Sequence, residues 1–293
     1  MLIKRFMAVL FLLIIFSACG GGSARTSDEM LPIKIVSIGA SNAEILVALG
    51  FGESIVATDM FSSDVVGLSS DVDAVLDMMA LDAEYLINLM PDIIFTSSMI
   101  RQGGEDDPLS VVSAVGIEVV YVETSESIAD IMRDIRLIAA MVGAVEAGES
   151  VVAQMEAEIA NVRQIVTGIS ETRTVYFEIE PAPWMISFGE GTFLNEVIEI
   201  AGAVNIFAQQ NGWFRVSDEA LLLANPDVIL TSADYLDNPV ADIMERPGFA
   251  EIAAVQNERV FVINSNASNR PSQNIVTALR EIAAAVYPEY FEN

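Results

Sequence analysis

Acids are the most abundant reactive groups here: 42 Asp and Glu stand against 14 Lys and Arg, and there is no histidine. Without an imidazole, a Ser-His-Asp or Cys-His nucleophile cannot be built. An imidazole-based transition-metal site is equally excluded. A formal charge of −28 leaves no basic face for nucleic acid. Carboxylates can hold hard cations or act in pairs on glycosides, but no spacing singles out such a pair. Against that background Arg101 and Arg270 stand out, because both follow β-branched runs and cations are scarce. A guanidinium suits carboxylate, phosphate or catecholate oxygens through paired hydrogen bonds; the alternative is an ion pair with one of the many acids. Phe61, Trp184, Trp213 and Tyr235 fall in comparable segments. Each alone is ordinary packing, and together they suit a large planar ligand. Gly189-Glu190-Gly191 lacks the third glycine of a dinucleotide fingerprint, and Phe193 blocks the approach, so it reads as a turn before a helix.

The elements that must position these residues alternate. Strands are expected over 33–38, 54–58, 93–96 and 119–122, with helices over 41–49 (Ser41 as cap, Gly50 as stop), 82–90 and 109–115. Apolar residues at helical spacing then run from Ser127 to about Thr167, with Gly143 separating two helices. The second, over 146–167, is about 33 Å long at 1.5 Å per residue. Alternation resumes with strands at 174–177, 228–230 and 260–263, and helices at 193–201, 218–224 and 271–286. The halves also match each other: residues 84–97 align with 219–232 at a constant offset of 135, identical at seven of fourteen positions. The expected fold class is therefore α/β, with two similar lobes, parallel-rich sheets, one long connecting helix and a ligand cleft between the lobes.

The N-terminus gives an address. Lys4 and Arg5 precede an apolar run from Phe6 to Phe16, then Ser17-Ala18. That is a secretory signal, too short to span a membrane, which takes about 20 apolar residues. Cys19 is the only cysteine, so it has no intrachain disulfide partner. An incidental buried thiol is the plain reading. However, Phe16-Ser17-Ala18-Cys19 resembles a bacterial lipobox, with Phe16 where Leu is usual, and Gly20-Gly21-Gly22-Ser23 follows as a tether. Lipid attachment at Cys19 is the expectation. Cleavage before it leaves 12 cations against 42 acids, a net −30. The expected division is signal 1–18, tether 19–32, first lobe 33–124, helical linker 125–170 and second lobe 171–293.

With export, an anchor and two matched lobes, the chain resembles the substrate-binding lipoproteins of bacterial ABC importers. It looks like the periplasmic-binding-protein family with a rigid helical backbone, which includes cobalamin, ferric-siderophore and haem binders. The strings that carry the resemblance are IVSIGASNAEILVALGFGESIVATD (35–59), DAEYLINLMPDIIF (82–95), SFGEGTFLNEVIEIAGAVNIFA (187–208), VSDEALLLANPDVIL (216–230) and RPSQNIVTALREIAAAVYP (270–288). It implies docking of one acid per lobe, here Glu84 and Glu219, onto the permease, which works with its ATPase. Read from the residues alone, each Glu complements a helix dipole, worth about 0.3–1 kcal/mol.

The resemblance also implies a binding protein without catalytic residues, cofactor or protein-held metal: a monomer on the outer face of the cytoplasmic membrane or the periplasmic side. The missing histidine turns the ligand away from bare metal ions and toward a chelate. The expected function is capture of an iron chelate, a ferric siderophore, for delivery to the permease, with cobalamin or haem as alternatives; if Arg101 and Arg270 both face the cleft, the anionic siderophore is favoured over largely neutral cobalamin. Haem stays open, because tyrosine can ligate iron. The competing classes are an exported carboxylate-dependent hydrolase and an adhesion or sensor lipoprotein on the same fold.

Overall fold

Strands that are apolar on both faces must be covered on both faces, which favours parallel pairing with helices packed on either side. The computed structural model describes residues 33–69, 72, 74–78, 80–101 and 107–291. The expected signal, Cys19 and the tether lie outside the described residues. The first lobe contains β1 (Ile35–Ser37), α1 (Ala40–Ala48), β2 (Ile55–Asp59), β3 (Ala74–Leu76), α2 (Ala83–Leu89), β4 (Ile93–Ser97), α3 (Ser110–Ala114) and β5 (Glu118–Val122). Its five strands are all parallel, in the order β3-β2-β1-β4-β5.

α4 (Ile128–Met141) and α5 (Val145–Val166) form the connection. Ser127 and Asp130 close a reciprocal capping box at the start of α4. Gly143, at φ 73°, makes the turn into α5. The second lobe follows with β6 (Thr174–Glu178), β7 (Ile186–Phe188), α6 (Phe193–Ile200), β8 (Val204–Asn205), β9 (Trp213–Arg215), α7 (Asp218–Ala224), β10 (Val228–Thr231), α8 (Pro239–Met244), α9 (Ala253–Gln256), β11 (Val260–Val262), α10 (Ser265–Asn269), α11 (Ile275–Val286) and α12 (Pro288–Phe291). Its parallel sheet runs β11-β10-β6-β8, and β7 pairs with β9 as a separate antiparallel ribbon.

The repeat read in the sequence is a repeat in space. Asp82 caps α2 by accepting from the Tyr85 N–H, and Ser217 caps α7 by accepting from the Ala220 N–H. Both helices end on a left-handed residue, Met90 and Asn225. In both, the following Pro-Asp presents a carboxylate to the backbone at the start of the first strand of its own lobe. Asp92 accepts from the Lys34 N–H at 2.7 Å, and Asp227 from the Thr174 N–H at 2.8 Å.

One buried apolar cluster runs through both lobes: Ile35 and Phe95 of the first sheet, Ile135 of α4, Met155 of α5, Leu194 of α6, Phe177 and Leu230 of the second sheet, and Leu279 of α11. The outer faces have smaller clusters of their own, around Leu86 and Ile94 and around Leu221 and Phe249.

Two local expectations are corrected. Ser41 is not the cap of α1. The helix starts at Ala40 after Gly39 (φ 109°), with no side-chain cap, and the Gly39 N–H goes to Asp59 instead. The closing helix starts at Ile275 rather than at 271, because residues 272–274 turn their polar groups onto Glu44 of the first lobe. No helix among the described residues is long and apolar enough to cross a membrane.

Candidate functional site

The carboxyl ends of the strands carry buried polar pins that shape the loops. Asp59, fully buried at the end of β2, accepts from the Gly39 N–H (2.5 Å), the Phe61 N–H (2.8 Å) and the Ser62 hydroxyl (2.8 Å). One carboxylate thus sets both the β1–α1 turn and the turn bearing Phe61. In the second lobe Glu178, fully buried at the end of β6, takes two bonds from Arg246 at 2.6 and 2.8 Å. With Tyr176 it carries the loop toward Glu180 and Trp184. The buried Tyr176 hydroxyl is held well above its ordinary range by burial and then by the Glu178 charge.

Between the lobes lies a cavity of about 250 Å³. The first lobe contributes Ser41 and Asn42 of α1, Ser97 and Met99 after β4, and the segment 122–125 after β5; the second contributes Phe193, Trp213 and Pro271. Trp213 is braced edge-to-face by Phe188 at 5.5 Å and Phe193 at 6.4 Å between centroids, giving the cavity a stiff aromatic wall. Asp134 of α4 also lines it, at 2% exposure, and accepts from the Ser125 hydroxyl at 2.7 Å. Burial pushes its carboxyl above the ordinary range, against the pull of Ser125 and Arg133. A larger groove of about 520 Å³ lies along α4, α5 and α6. No loop from a sheet's carboxyl edge lines it, so the interlobe cavity is the better candidate for ligand capture.

The named residues fall into three groups. Trp213 lines the cavity. Phe61, Trp184 and Tyr235 are more than half exposed on loops after β2, β6 and β10 and do not line it. Arg101 follows β4 with its guanidinium 5.0 Å from the Tyr121 ring, and Tyr121 donates to Asp107 at 2.6 Å. Arg270 is spoken for. It donates to Glu44 at 2.9 Å, Asp64 at 2.7 Å and the Phe61 carbonyl at 3.0 Å, all in the first lobe. Glu84 and Glu219 are exposed in the first turns of α2 and α7. Backbone and Ser217 hydrogen bonds hold the Glu219 carboxyl below its ordinary range.

Sequence reasoning missed Asp134 and Arg215. Asp134 had a signal: it is an acid set among the apolar positions Ile131, Ile135 and Ile138 of an amphipathic helix. Arg215 ends the β9 ribbon, lies over the Trp184 ring at 4.8 Å and donates to the Pro183 and Trp184 carbonyls. Nothing local announces that contact, which joins residues 31 apart in the chain.

Comparison with known proteins agrees with this geometry. Residues 35–267 match the periplasmic binding protein family. An ABC transporter substrate-binding lipoprotein of Bacillus subtilis (strain 168), YvrC, is 31% identical over 89% of this chain and 82% of its own length. A vitamin B12-binding protein of Vibrio cholerae is 25% identical over 85% of this chain and 87% of its own. The crystal structure of a possible iron-binding, periplasmic solute-binding protein from Staphylococcus epidermidis ATCC 12228 superposes with a TM-score of 0.75 at 26% identity, covering 87% of this chain and 98% of that one. With two matched parallel lobes, a cavity between them and the match over residues 35–267, the chain belongs to the periplasmic binding protein family, a family of solute-binding proteins.

Proposed function

We propose that this protein captures a large metal chelate between its lobes and hands it to the permease of an ABC importer, with a corrinoid as the leading ligand. The supporting observation is the interlobe cavity: aromatic on one wall through Trp213 and, among the described residues, lined by no Lys or Arg, in a sequence without imidazole. A bare transition-metal ion finds no suitable donor set there. The preference for an anionic ferric siderophore depended on Arg101 and Arg270 both facing the cleft, and Arg270 already serves two carboxylates. The relatives include vitamin B12-binding proteins, which supports the same ranking.

The second reading is a ferric siderophore. It draws on the exposed Arg101 beside Tyr121, on Arg215 over Trp184, and on the likeness to a possible iron-binding protein. Thermal denaturation with cobalamin, haem, and hydroxamate and catecholate ferric siderophores separates these. A ligand held at about 100 times its Kd adds about 2.7 kcal/mol of stability. Cobalamin is expected to stabilise; stabilisation by a ferric siderophore or haem without cobalamin overturns the corrinoid assignment.

In this reading residues 1–18 export the chain, Cys19 carries the lipid and 19–32 tether it outside the cytoplasmic membrane. Residues 33–124 and 171–293 are then the lobes and 125–170 their link. The protein works as a monomer. Mass spectrometry of the membrane-extracted protein is expected to find a diacylglyceryl-modified Cys19 at the mature N-terminus; an unmodified Cys19, or another N-terminus, rules the anchor out.

A further inference from the structure

The floor of the interlobe cavity has one sign of charge. Among the described residues its lining holds two carboxylates, Glu123 and Asp134, and no cation. Glu123 is exposed, whereas Asp134 is 2% exposed and comes from the apolar face of α4. Its Oδ2 accepts from Ser125 at 2.7 Å. Its Oδ1 receives only long contacts from Arg133, 3.4 Å from Nε and 3.3 Å from Nη2, and that guanidinium is shared with Asp130. An ionised carboxylate has about four lone-pair sites, so Asp134 retains capacity for a donor arriving from the cavity. A second carboxylate brought against it would be repelled in a poorly solvated place, which is how a site rejects a near-identical competitor.

We infer that the cavity floor selects chelates whose inserted edge carries neutral or positive hydrogen-bond donors, amide N–H above all, and rejects the same scaffold bearing carboxylates there, with Asp134 deciding between them. This rests on the proposed use of the interlobe cavity for ligand capture. It also sorts the candidate ligands by their own chemistry. The corrin periphery is edged with acetamide and propionamide groups, whereas the edge of haem carries two propionates.

The test presents each macrocycle in both forms: cobalamin against cobalamin whose side amides have been hydrolysed to carboxylates, and haem diamide against haem. Wild-type protein is expected to bind the amide form at least tenfold more tightly. Asp134→Asn replaces one carboxylate oxygen with an amide donor, so it is expected to tighten binding of the carboxylate form and narrow the preference below threefold. A merely structural role of Asp134 weakens both forms in parallel. Ser125→Ala, which removes the pin and keeps the charge, is expected to retain the preference. If Asp134→Asn does not fold, Glu123→Gln at the exposed lip is expected to shift the preference in the same direction by a smaller factor.

A ratio unchanged in Asp134→Asn (or in Glu123→Gln, where Asp134→Asn does not fold), or a wild-type preference for carboxylates, overturns the inference and leaves the corrinoid reading standing if cobalamin binds. Binding of haem forms alone overturns the corrinoid reading, and the haem pair then decides the inference by itself. A wild-type protein that binds no form of either macrocycle overturns both.

Discussion

Reversing the charge at Glu84 and Glu219 together is expected to abolish uptake while leaving ligand affinity unchanged. Both side chains are exposed, in the first turns of α2 and α7, at positions equivalent in the duplicated unit. The cap bonds from Tyr85 N–H to Asp82 and from Ala220 N–H to Ser217 do not use the glutamates, so the helices survive the substitution even though Glu219→Lys gives up the Ser217–Glu219 hydrogen bond. Loss of the dipole contact at these exposed first-turn positions is a small, solvent-screened effect, too little to unfold a protein of this size. Neither residue lines the interlobe cavity, so an uptake defect cannot come from failed capture. The measurement pairs transport of labelled ligand in cells with equilibrium binding to the purified Glu84→Lys/Glu219→Lys protein. Normal transport by the double variant would overturn the proposal that Glu84 and Glu219 dock the permease.

Arg270→Ala is expected to destabilise the protein by about 3 kcal/mol, the usual cost of stripping one partner from a buried ion pair. Glu44 is only 6% exposed and collects Arg270, Ser272 and Asn274 from the opposite lobe. Removing the guanidinium strands that carboxylate. At roughly 2–4 °C per kcal/mol for a chain of this size, the melting midpoint falls by about 6–12 °C. Adding Glu44→Gln removes the stranded charge, and part of the loss is expected to return.

The outer half of this contact carries a pH signature. Burial raises the Asp64 carboxyl, but the hydrogen bonds from Arg270 and Asn266 outweigh it and hold the group below its ordinary 3.8. Its folded value is depressed, so its contribution is present above the unfolded value and fades as pH falls through the folded one. The Asp64–Arg270 link therefore persists through neutral and mildly acidic pH and opens below the ordinary carboxylate range. A midpoint for Arg270→Ala within 2 °C of wild type would show that the contact is incidental.

The strand and helix order was legible because parallel strands buried on both faces leave continuous apolar runs, and because the Pro-Asp turns recur at a fixed offset. Long-range partnerships were not legible. Arg270 meets Glu44 across 226 residues, and no local pattern distinguishes a guanidinium waiting for a ligand from one already paired. The β7–β9 ribbon was missed for a related reason. Its strands are three residues each, paired with one another and bridged at Ile186 to Glu180, too short for alternation to register, yet they place Trp213 on the cavity wall. The aromatic set was chosen by loop position, which fixes the edge of the sheet but not the direction of a side chain. Trp213 therefore reaches the cavity while Trp184 stays outside, under Arg215.

The lobes are joined twice, by the α4–α5 pair with its continuous apolar core and by the contact of Arg270 with Glu44 and Asp64. Two bodies fixed at two separate places lose their relative translations and keep one easy rotation, about the line through both attachments. Motion about that axis changes the width of the slot without shifting one lobe sideways past the other. On the proposed reading, ligand entry and exit would be a small rocking about that axis, and the spacing between Glu84 and Glu219 would change with it.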